Sequence, residues 1–81
     1  MSTTICLMDE RLAKRFGTVL RRQRLDSGLS QEELAFETDL HRTYISLLER
    51  GVRQPSLSTI FVLAEAMGCD PERLVKETRL A

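Results

Sequence analysis

The sequence predicts an all-α fold of five short helices, and three observations carry that prediction. Apolar residues recur at helical spacing along most of the chain, with almost no alternating β-branched run. Helix-start residues stand before these stretches at Asp9, Ser30, Ser56 and Asp70. Gly28, Gly51 and Gly68 fall just past three of the expected helix ends, where a left-handed residue is wanted.

The first helix is expected from Asp9, whose carboxylate suits a helix N-terminus, to about Leu25. Leu12, Phe16, Val19, Leu20 and Gln23 share one face of it. Gly17 lies inside and costs about 1 kcal/mol relative to Ala, which points to close packing against a neighbour. Ser30-Gln31-Glu32-Glu33 is a capping box: the Ser hydroxyl accepts from the Glu33 N–H while Glu33 reaches back. Leu34, Ala35 and Thr38 form the buried side of this second helix, and a turn follows at Asp39 to His41.

A third helix from Arg42 to Arg50 places Tyr44, Ile45 and Leu48 on one side and Arg42, Thr43, Ser46, Leu47 and Arg50 on the other. The second set matches what base edges offer in a DNA major groove: Arg42 suits guanine O6 and N7, and Thr43 and Leu47 suit thymine methyls. The fourth helix starts at Ser56 after Pro55, with Leu57, Ile60, Phe61, Leu63, Ala64 and Met67 as a wide apolar face. Asp70 and Pro71 open the fifth, which carries Leu74 and Val75. The domain is expected over residues 9–77, with residues 1–8 as a loose N-terminus and 78–81 as a tail.

On the run from Ser30 to Gly51, and on His41-Arg-Thr-Tyr-Ile-Ser followed by Leu47 to Leu57, the chain resembles the phage-repressor and Cro-like (XRE-type) helix-turn-helix family. It is especially similar to the small stand-alone regulators of that family, the restriction-modification controller proteins among them. The resemblance covers roughly residues 10 to 76 and implies a compact five-helix, lambda-repressor-like DNA-binding domain whose second and third helices form the helix-turn-helix. It implies that Gln31 at the start of the second helix meets a phosphate, as free N–H groups there also favour. Ser46, Arg50, Arg53 and Gln54 are phosphate candidates of the same kind. Tyr44 either reaches DNA, as in controller-type relatives, or packs against the body of the domain. The resemblance also pairs Glu49 with Arg24 late in the first helix, as a structural ion pair. Two positions depart from the family pattern: Asp39 stands where Gly is usual, and His41 is a weaker N-cap than Ser, Thr or Asp.

Composition bounds the function. Eighty-one residues make one small domain without room for a separate sensing or catalytic unit. Twelve Lys and Arg balance twelve Asp and Glu, which counts against a generally basic nucleic-acid binder. The segment from Arg11 to Arg53 nevertheless holds nine bases and six acids, a net +3 that the remainder cancels. Ile5 to Met8 is too short an apolar run for a signal peptide or membrane span, so a cytoplasmic protein is expected. Cys6 and Cys69 show no metal-ligand spacing; Cys69 reads as a small core residue and Cys6 as a chance thiol. With a single histidine and no phosphate-binding Gly-rich loop, no catalytic activity, metal, cofactor or small-molecule ligand is expected, and Glu32, Glu33 and Glu37 read as a solvated helix face.

The partner expected is double-stranded DNA, bound by a homodimer as a transcriptional regulator on a near-palindromic operator, because one helix-turn-helix reads only a few base pairs. Val62, Leu74, Val75 and Leu80 are the candidate dimer surface, Leu74 being the one of them most expected in the core, and Ile5 to Met8 could add to the same patch. The rival is a protein-binding adaptor or antitoxin on the same scaffold.

Overall fold

A computed structural model describes residues 3–81, with side-chain surroundings from Met8 onward. Five helices follow one another: α1 (Thr3–Asp26), α2 (Gln31–Thr38), α3 (Arg42–Glu49), α4 (Leu57–Met67) and α5 (Pro71–Leu80). Among the described residues there is no strand.

Two boundaries differ from those expected. α1 begins at Thr3, so Asp9 lies inside a helix and caps nothing. No Gly or Pro interrupts residues 3–8, and an internal Asp is no obstacle to helix continuation. The Cys6 side chain, and those of Ile5 and Leu7, lie outside the described residues. At the other end residues 78–80 form the last turn of α5 rather than a tail. Thr78 is buried, which seats that turn against the domain, and its hydroxyl donates within the helix to Leu74 O at 2.7 Å.

The first four helices end in the same way. One or two residues past each end a residue of positive φ follows, Gly28, Asp39, Gly51 or Gly68, and the N–H one residue further on returns to a carbonyl five residues back. Leu29 donates to Arg24 O, Leu40 to Ala35 O, Val52 to Leu47 O and Cys69 to Ala64 O, at 3.0–3.2 Å. Asp39 takes the left-handed conformation in place of glycine, at φ 57° and ψ 30°.

One cluster forms the core: Phe16, Val19 and Leu20 of α1, Leu34 and Ala35 of α2, Ile45 and Leu48 of α3, Leu63, Ala64 and Met67 of α4, and Leu74 of α5. Cys69 is half-buried at its edge. Ser27 joins α1 to α4, its hydroxyl shared between Gln23 O at 2.8 Å and Met67 O at 3.1 Å. Arg73 on the same helix and Arg22 of α1 hold Glu77 of α5 at 2.7 and 2.6 Å, and their hydrogen bonds, that of Arg73 first, keep its carboxyl below the usual carboxylate range.

Leu74 was a candidate for a dimer surface, but it is wholly buried, with no exposed area, because α5 has Leu74 and Thr78 as its inward face. Leu57 and Phe61 were expected in the core face of α4 and are instead 70% and 54% exposed. The apolar stripe of α4 is wider than its neighbours cover. Leu63, Ala64 and Met67 turn inward, while Leu57 and Phe61, one turn apart, overhang α5.

Candidate nucleic-acid interface

The second helix is placed by its capping box. The Glu33 N–H donates to Ser30 Oγ at 3.0 Å and the Ser30 N–H to Glu33 Oε1 at 2.9 Å. The backbone donor at Ser30, with its hydroxyl, holds the Glu33 carboxyl below its ordinary range. After the turn, His41 stands as the N-cap of α3, with extended backbone and no side-chain cap bond. Asp70, at the corresponding place before α5, likewise makes no side-chain cap bond. The helix start at His41 therefore depends on tertiary packing rather than on local capping.

That packing comes from Ile45 and Leu48, both fully buried, and from Tyr44, half-buried against the same cluster. Opposite them Arg42, Thr43 and Arg50 are exposed, with Ser46 and Leu47 partly so. The division of α3 into an inward and an outward side thus follows the sequence reading, with the Tyr44 ring in the packing. Arg53 and Gln54 are exposed in the loop after α3, and Gln54 Nε2 donates to Asp9 O of α1 at 3.2 Å.

A buried ion pair holds α3 at its other end. Arg24 Nε donates to Glu49 Oε2 at 2.6 Å and Nη2 to Oε1 at 3.0 Å, with the two side chains 9% and 4% exposed. The parallel arrangement raises the Arg24 pKa, first through the hydrogen bonds to Glu49 and then through its charge, against the opposing cost of burial. Arg24 Nη1 donates to Leu29 O at 2.9 Å, so one guanidinium ties α1, the following loop and α3 together. The pair implied by family resemblance is therefore present. Of the nine bases in the net-positive segment, Arg24 is engaged inside the fold and Arg22 in an exposed ion pair with Glu77.

Gly17 explains how α3 approaches so closely. A Cβ built on it would stand 2.5 Å from the carbonyl oxygens of both Leu48 and Glu49. The end of α3 crosses directly over the glycine of α1.

One contact was not legible in the sequence. Gln31, expected as a phosphate ligand, donates from Nε2 to Glu49 Oε1 at 3.0 Å. The two residues are eighteen apart and share no periodic signal.

The helix-turn-helix family HTH_3 matches residues 20–74. The control protein C.BamHI of Bacillus amyloliquefaciens is 50% identical over 66 residues, covering 80% of this chain and 82% of that protein. The crystal structure of the restriction-modification controller protein C.AhdI from Aeromonas hydrophila superposes with a TM-score of 0.74 at 45% identity, covering 76% of this chain and 94% of that one. A further controller protein, C.Esp1396I, solved as a tetramer in complex with its natural 35 base-pair operator, matches at a TM-score of 0.72 and 30% identity, over 84% of this chain and 95% of that one.

Proposed function

Because the chain belongs to the HTH_3 (XRE-type) helix-turn-helix family of DNA-binding transcriptional regulators, we propose that α3 is its recognition helix and that two copies read a near-palindromic operator. The observation that carries this is the outward side of α3: Arg42 and Thr43 stand exposed in its first turn, on a helix held at its far end by a buried ion pair. Arg42 grips a guanine through O6 and N7, while Thr43 and Leu47 meet thymine methyls. Tyr44 contributes through the accessible part of its ring. Arg50, Arg53 and Ser46 hold phosphates. Gln31 and Gln54 each use one amide N–H within the protein, and the second remains for a phosphate oxygen. No catalytic step, cofactor or small-molecule ligand enters this function, and the compartment is the cytoplasm.

Base contacts and phosphate contacts separate under mutation. Arg42→Ala should cost about 1–3 kcal/mol on the preferred duplex and relax the preference at one guanine. Arg53→Ala should weaken all duplexes alike and flatten the log-log salt dependence by about one unit. Selection of bound sequences from a random duplex pool, run with both variants, checks this. An unchanged sequence preference for Arg42→Ala would remove α3 from the reading role.

The dimer surface proposed is the groove between α4 and α5, about 420 Å³, lined by Leu57, Ile60, Phe61 and Val75. Glu72, Lys76 and Arg79 on its rim carry both signs of charge, which suits a self-complementary two-fold contact. Val75 is thus retained from the sequence candidates, with Leu57 and Phe61 added. Val62 and Leu80, though exposed, do not line the groove. That C.Esp1396I occupies its operator as a tetramer supports assembly on DNA. A two-fold arrangement spaces half-site centres by about 10 base pairs or a multiple. Phe61→Asp combined with Val75→Asp should give a helical monomer that binds a half-site weakly and has lost cooperative binding to the full site. Sedimentation of the wild-type protein as a monomer at high micromolar concentration, with non-cooperative binding, would overturn the assembly.

A further inference from the structure

Glu49 lies at the end of α3 and its two oxygens receive three donors, two from Arg24 of α1 and one from Gln31, the first residue of α2. The ion pair by itself attaches α3 to α1 at one end. Ile45 and Leu48 hold the middle of the helix by apolar contact, which is non-directional and tolerates small rotations. Arg42 stands seven residues before Glu49, about 10 Å along the axis, so a pivot of roughly 10° about Glu49 displaces the first turn by about 2 Å. A base-reading constellation needs its groups held to about 0.5 Å. A second directional bond to Glu49, from the start of α2, opposes that pivot, because together with the turn at residues 39–41 it ties α3 to α2 at both ends.

We propose that Gln31 is a positioning residue for sequence reading: through Glu49 it sets the angle of α3 against α2 and hence the place of Arg42 and Thr43 over the bases. This rests on α3 being the recognition helix. The phosphate contact of the second Gln31 N–H then docks on the same side chain that sets the helix, so backbone binding and base reading share one anchor. A side chain that served phosphate alone would carry no information about sequence.

The test uses the full chain with Gln31→Met, of similar length without a donor, and Gln31→Glu, which points a second carboxylate at Glu49. Affinity is measured on the preferred duplex and on one with the Arg42-dependent guanine replaced, across a salt series, and melting is measured without DNA. Gln31→Met is expected to shrink the ratio of the two affinities by up to roughly tenfold. Gln31→Glu is expected to melt below Gln31→Met without DNA, because like charges then meet at a buried carboxylate. Equal loss on both duplexes at every salt concentration, with the ratio intact, would make Gln31 a phosphate ligand only and overturn the proposal. Should the wild-type protein show no sequence preference, the recognition-helix reading fails separately. The DNA-free double-mutant cycle of Gln31→Met with Glu49→Gln then still decides the bond: coupling supports the positioning contact, and independence of the two substitutions overturns it.

Discussion

Glu49→Ala is expected to lower folding stability by about 3–5 kcal/mol, because it strands the buried Arg24 guanidinium without its counter-charge. For a domain of this size that is a large part of a total of about 5–15 kcal/mol and should lower the melting temperature by more than about 10 °C. Leu29 O still accepts from Arg24, so part of the guanidinium remains satisfied and the protein should fold at low temperature. Arg24→Ala should have a comparable effect from the opposite side, leaving a carboxylate with only Gln31 as donor. The double substitution should cost less than the two singles added, since the second removes a group the first had already orphaned. DNA affinity should fall with each, because the end of α3 loses its anchor to α1. Strict additivity in a thermal double-mutant cycle would exclude the pair as the anchor.

Gly17→Ala sets two effects against each other, and their sizes decide the sign. In an open helix the exchange gains about 1 kcal/mol of helix propensity. Here the new methyl would stand 2.5 Å from the Leu48 and Glu49 carbonyl oxygens, which are backbone atoms fixed by the terminal turn of α3. Such overpacking costs about 1–3 kcal/mol, so net destabilisation is expected, with α3 displaced and sequence-specific affinity reduced. Gly28 provides the contrast, since a Cβ there meets nothing within 4 Å and its substitution is opposed only by the positive φ of 74°. Gly28→Ala should therefore leave DNA affinity nearly unchanged at a temperature where both variants are folded. A Gly17→Ala protein that melts above the wild type would show that α3 has room to move away.

The parts of the fold that the sequence made legible are those governed by local chemistry. The start of α2 at Ser30, the start of α4 at Ser56 and the stops at Gly28, Gly51 and Gly68 each depend on residues within one turn of the boundary. Asp9 shows the limit of the same reasoning, because a residue able to cap does so only where the preceding chain leaves the helix, and residues 3–8 do not. The buried pair on α3, Ile45 and Leu48, was equally legible, since one buried stripe on a short helix leaves little choice of face, whereas Tyr44 stood open between packing and DNA until its ring was placed half-buried against the core. The Arg24–Glu49 pair came with family resemblance, not from the spacing of the two residues.

By itself, then, the sequence determined an all-α domain, the helix-turn-helix within it, and which residues of α3 turn outward, because capping, turn chemistry and helical periodicity act over a few residues. Only the tertiary structure decided which apolar residues remain uncovered and which polar ones are tied down. A helical wheel shows how wide the stripe of α4 is, but not that α5 stops short of Leu57 and Phe61 while taking Leu74 inside. Nor does it show that Gln31 meets Glu49, or that Gly17 admits the end of α3. Those contacts join positions far apart in the chain, and their geometry exists only once the helices have packed.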